Sequence, residues 1–111
     1  MVVMVRQMFE NLLRAPNVKL HCKPSFDHGT LSFALKGSFA MGGERLKALE
    51  SQGYRMSYKP PSRGAAHNGN VHLFEISASP TASFTAKKTA ATEIAKLHTF
   101  LSKTWPTLHP P

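Results

Sequence analysis

Hydrophobic positions recur along the chain first at helical and then at strand spacing. Val5, Met8, Phe9, Leu12 and Leu13 fall three and four residues apart, which predicts an amphipathic helix over residues 3–14 ended by Ala15 and Pro16. Val18, Leu20 and Cys22 then alternate with Lys19, His21 and Lys23, the period-two pattern of a half-buried strand. That alternation points Cys22 toward the core and His21 toward solvent. Asp27, His28 and Gly29 supply turn chemistry, and Leu31, Phe33 and Leu35 resume the alternation as far as Gly37.

Gly42 and Gly43 interrupt the pattern. Residues 44–52 read as a short helix with Leu46 and Leu49 inward and Gly53 as its C-terminal stop. Tyr54, Met56 and Tyr58 alternate with Arg55, Ser57 and Lys59 until Pro60 and Pro61 close the strand. After a polar loop, Val71, Leu73 and Glu75 alternate with His72, Phe74 and Ile76; the second set is the more apolar and is expected to face the core. Ser79, Pro80 and Thr81 make a turn, and residues 82–85 read as a short last strand. Ala90, Ile94, Leu97 and Leu101 give the final helix one apolar stripe, with Ser83 or Thr85 as its cap, Trp105 and Pro106 as its end, and residues 106–111 as a tail. Phe9, Phe33, Phe74, Phe84 and Phe100 sit at core-like spacings and are expected to pack inside. The fold class is α+β, an antiparallel sheet of three or more strands with helices packed on one face.

A chain of 111 residues has the length of one ordinary domain, with a modest core and little material for a deep cleft. Charge changes the picture more. Fourteen Lys and Arg against six acidic residues give a net charge of +8 and a pI near 10.1, which favours a polyanionic partner. The basic residues are dispersed over the predicted elements, not gathered in a disordered tail. Cys22 is the single cysteine, so no intrachain disulfide forms; a reducing, intracellular setting, cytoplasmic or mitochondrial, is expected. No apolar run approaches the ~20 residues of a membrane span, and residues 1–14 read as the first helix of the fold in preference to a presequence.

Catalysis finds little material. The six acids are scattered, Cys22 has no base assigned by spacing, and His21 beside Cys22 lacks a second pair at metal-ligand distance along the chain. A non-enzymatic protein without metal or cofactor is expected.

Three features of the later part stand in a particular order. Leu46 and Leu49 mark a short helix leading through Gly53 to a strand with Tyr58. A loop with Gly64, His67 and Asn68 runs into the strand beginning near Val71. Lys87, Lys88 and Ala90 open a helix that continues through Ala95. In these residues, and in the length between Val71 and Lys88, residues 42–105 resemble the double-stranded RNA-binding domain, whose order is α-β-β-β-α. Ala65 stands where that family has proline, and Ala91 where it has a third basic residue. The resemblance implies a module that holds A-form RNA by shape, with Lys87 and Lys88 on phosphates and with His67, Asn68 and the helix carrying Arg45 and Lys47 in the minor grooves. A helix N-terminus suits phosphate because free N–H groups and the dipole add to lysine charge, and a wide, shallow minor groove presents 2′-hydroxyls to polar side chains. Residues 1–41 lie outside the resemblance, as a helix and hairpin packed on the module or as a docking surface. The alternative is the same fold as a protein-interaction or dimerisation module within a ribonucleoprotein assembly, with the N-terminal helix as the contact.

Overall fold

Helix α1 (Val5–Arg14) lays Val5 and Phe9 into the core, both fully buried, and Met8, Leu12 and Leu13 pack around them. The structure, a computed structural model, describes residues 5–61 and 70–108. After α1 come strands β1 (Lys19–Leu20), β2 (Ser25–Asp27) and β3 (Thr30–Lys36), then helix α2 (Gly43–Ser51), strands β4 (Tyr54–Lys59) and β5 (Val71–Ala78), and the long helix α3 (Phe84–Leu108). The α+β class read from the periodicity is the one the molecule has.

The strands form one antiparallel sheet in the order β1-β3-β5-β4, with β2 also on β3. Its register puts Leu31, Ile76 and Met56 in one cross-strand row and Phe33, Phe74 and Tyr58 in the next. Both rows face the helices. Phe9 of α1 meets Phe33 and Phe74 edge-on, with centroids 4.9 and 5.1 Å away, while Phe33 and Phe74 stack on each other. Edge and face contacts of this kind add to the area each ring removes from water. Ala90, Ile94, Leu97 and Leu101 of α3 are all buried, and β5 turns His72, Phe74 and Ile76 inward as the alternation predicts.

Four local expectations are corrected. Residues 82–85 are not a strand: Ser83 caps α3, its Oγ accepting from the Ala86 N–H at 3.2 Å, and α3 begins at Phe84. The edge of β5 that such a strand would occupy is taken by β3, which reaches it from before α2. Residues 19–36 therefore share one sheet with residues 54–78. Second, the strand expected over 18–23 shortens to Lys19 and Leu20. Leu20 faces Leu35 and Ser25 faces Ser32, so this edge uses two more residues than β3 does between the same pairs. The bulge ends at Pro24, which has no N–H to give, and it leaves Cys22 exposed, not core-facing. Third, Phe84 is not in the core; it is 80% exposed. Fourth, α3 does not stop at Trp105 and Pro106 but continues to Leu108.

Other expectations hold. His28 and Gly29, at φ 51° and 77°, form the two-residue turn between β2 and β3. Gly53, at φ +94°, ends α2 while its N–H bonds the Glu50 carbonyl.

Candidate nucleic-acid interface

The C-terminal end of α2 and the first turn of α3 meet at Gly53. A Cβ there would lie 3.1 Å from the Ala86 Cβ and 3.2 Å from its carbonyl oxygen, and the Gly53 carbonyl accepts from the Ser79 N–H at 2.7 Å. Only a residue without a side chain, and with free access to positive φ, lets the two helix ends approach so closely. This contact joins the two helices on which four of the six expected site residues lie.

Lys87 and Lys88 occupy the first turns of α3. They are neighbours on a helix, so their side chains leave it about 100° apart. Lys87 continues the line of the buried stripe and is half-buried, whereas Lys88 is exposed on the flank. Arg45 and Lys47 are both exposed on α2. Two residues apart, they leave opposite sides of that helix, so a single flat partner would engage one of them. Lys47 precedes Gly53 by about 9 Å along the helix axis. Among the described residues none of these four cations forms an ion pair. His67 and Asn68, the expected minor-groove contacts, lie outside the described residues, as do Gly64 and Ala65.

The end of α3 is itself electropositive. Ser83 Oγ engages the Ala86 N–H and the Ser83 carbonyl takes the Lys87 N–H at 2.9 Å. The N–H groups of Phe84 and Thr85 keep no partner among the described residues and point at whatever lies beyond the helix end.

Sequence reasoning missed Phe84. Its ring lies one turn before Lys88 on the same flank, and with Thr85, Lys88 and Thr89 it borders a shallow groove. One signal could have found it: position 84 is off the i, i+4, i+7, i+11 series that defines the buried stripe. At the other end of the groove Glu93 is buried, one carboxylate oxygen 3.4 Å from Lys96 Nζ and the other without a hydrogen bond. An anion would therefore keep to the Phe84 and Lys88 end.

Elsewhere the described residues contain no group of three or more His, Cys, Asp or Glu able to hold a metal ion, and no described helix is long and apolar enough to cross a membrane. The apolar side of α1 is occupied inside the molecule, against α3 and the sheet. Compared with protein-family models, curated proteins and solved structures, the chain matches none.

Proposed function

We propose that this protein binds nucleic acid without chemistry, and that its ligand is double-stranded RNA held by backbone shape and charge. The observation that carries the reading is the start of α3. Lys88, Lys87 and two free N–H groups surround one helix end, no carboxylate pairs with either lysine among the described residues, and Phe84 offers an exposed apolar ring beside them. Phosphate satisfies the N–H groups and the lysines together, and the ring suits a sugar or an unpaired base. Arg45 or Lys47, across the Gly53 junction, extends the same positive surface. The choice of duplex RNA over other polyanions rests on the resemblance of residues 42–105 and on its loop with His67 and Asn68.

Fluorescence anisotropy tests this with matched RNA duplex, DNA duplex and single-stranded RNA of about 20 units, longer than the ~16 base pairs one such module spans. RNA duplex binds most tightly and stays bound near physiological salt. Lys87→Gln with Lys88→Gln weakens it across all sequences and lowers the slope of log K on log salt by about 2. Equal binding to all three ligands, erased by salt, would reject duplex RNA as the ligand. An unchanged affinity in the double variant would reject the α3 site.

A further inference from the structure

The helices cover one face of the sheet. The opposite face carries the other alternation, whose charged positions on β1, β3, β4 and β5 are Lys19, Lys36, Lys59, Arg55 and Glu75. Its charge is uneven. At one end Arg55 lies diagonally across from Glu75, and the two border a common polar recess. At the other end stand three lysines and no carboxylate. Lys19 is directly opposite Lys36 in the antiparallel pair, an arrangement in which like charges repel. Lys59, in the next row and two strands over, is about 12 Å from Lys36 between Cα atoms by strand spacing. All three are exposed and unpaired among the described residues. Beside the Lys19 and Lys36 pair the surface dips into a recess bordered by Asn17, Gly37, Ser38 and Asn70.

We propose that this end of the open sheet face is a second phosphate-binding surface, which takes the phosphodiester backbone of a further nucleic-acid segment. Two opposed lysines without a carboxylate call for an anion between them, and the amide and hydroxyl side chains at the recess can donate to its oxygens. Lys59 lies far enough away to reach a different phosphate of the same strand, so the occupant is a chain of phosphates and not a lone ion. No Phe, Tyr or Trp stands among the described strand positions of this face, so backbone is its main contact. A second copy of this chain is a poor occupant, because it would press a protein of charge +8 against its own lysines. The α3 site is on the other side of the sheet, so one straight duplex cannot lie on both. The protein then bridges two segments. The bridging of two segments and the choice of duplex RNA as probe rest on the function proposed above; the lysine surface itself does not.

The test mixes donor- and acceptor-labelled 20-base-pair RNA duplexes with the full chain and reads energy transfer between them, alongside anisotropy for total binding. Wild type brings the labels together. Lys19→Gln, Lys36→Gln and Lys59→Gln combined, with unchanged circular dichroism, abolishes the transfer, keeps binding of one duplex and lowers the salt slope by about 3. Lys36→Glu, which gives Lys19 an ion-pair partner, also abolishes it. Transfer and salt slope unchanged in the triple variant would overturn the proposal. So would transfer lost equally to poly-glutamate and to unlabelled RNA at the same charge, which would make the surface a site for acidic protein. If Lys87→Gln with Lys88→Gln leaves binding intact while the triple variant does not, the α3 site fails and the sheet site stands.

Discussion

Tyr58 on β4 reaches diagonally across the sheet to His72 on β5, the tyrosine Oη 2.7 Å from His72 Nδ1. The second ring nitrogen, Nε2, lies 3.0 Å from the Gly37 carbonyl oxygen, which only accepts. In the neutral ring the proton is therefore on Nε2, and Nδ1 accepts from Tyr58. Burial raises the Tyr58 pKa, which keeps the hydroxyl a donor. Phe39 stacks on the imidazole at 3.8 Å between centroids. His72 thus ties β4 to the turn after β3 from within the core, a role its sequence position does not announce.

Tyr58→Phe removes the donor and leaves Nδ1 unpaired. The cost is about 1–2 kcal/mol, read as a lower midpoint of urea unfolding. In the wild type, imidazole ¹⁵N shifts identify Nε2 as the protonated nitrogen; protonation at Nδ1 would refute the assignment.

Tyr54 supplies a pH prediction. Burial, and then the charge of Glu93, push its pKa up to about 12 from an ordinary 10.0. Because the folded value lies above the unfolded one, this contribution is fully present below pH 10 and is lost as the pH climbs from about 10 to about 12. It amounts to at most about 3 kcal/mol. Alkaline unfolding followed by circular dichroism should shift in Tyr54→Phe, where this component of the pH dependence disappears. Absorbance near 295 nm, from about the same pH range, reports the phenolate directly.

Phe9→Ala empties the space that Phe9 fills edge-on against the stacked rings of Phe33 and Phe74 and costs about 3–5 kcal/mol. Chemical unfolding of the purified variant measures it. A loss below about 1 kcal/mol would mean that α1 is dispensable for folding and free to serve as a contact for partners.

Gly53→Ala places a Cβ against Ala86 in a backbone conformation that L residues rarely adopt. The variant loses about 1–3 kcal/mol, and the start of α3 must move away from α2. On the proposed function, duplex-RNA affinity falls with it, measured under conditions where the variant is folded. Stability lost without affinity would separate the Gly53 junction from the binding surface.

Lys36→Glu reverses the usual direction of a strand substitution. It replaces repulsion with an ion pair to Lys19 and raises stability by about 0.2–1 kcal/mol, seen as a higher melting temperature, while it weakens anion binding at the recess.

The chain carried short-range information well. The helix over α1, the inward faces of β4 and β5, the turn at His28 and Gly29 and the stop at Gly53 each follow from a few neighbouring residues, because side-chain period and turn geometry are local properties. The same holds for the positive charge and for the lysines at the head of α3. Pairing between distant segments was decided only by the tertiary structure. Residues 82–85 alternate too little to hold a place in a sheet, and the vacant edge of β5 went to β3, whose Leu31, Phe33 and Leu35 bury a full apolar face there. That pairing made Lys19 and Lys36 part of a surface that also holds Lys59, three residues with no spacing in common. The bulge at Pro24 turned Cys22 outward, and the helical start at Phe84 set its ring on the flank of α3 beside Lys88, off the buried stripe. Local pattern sets which face of an element is apolar; what covers that face depends on where the rest of the chain finds room.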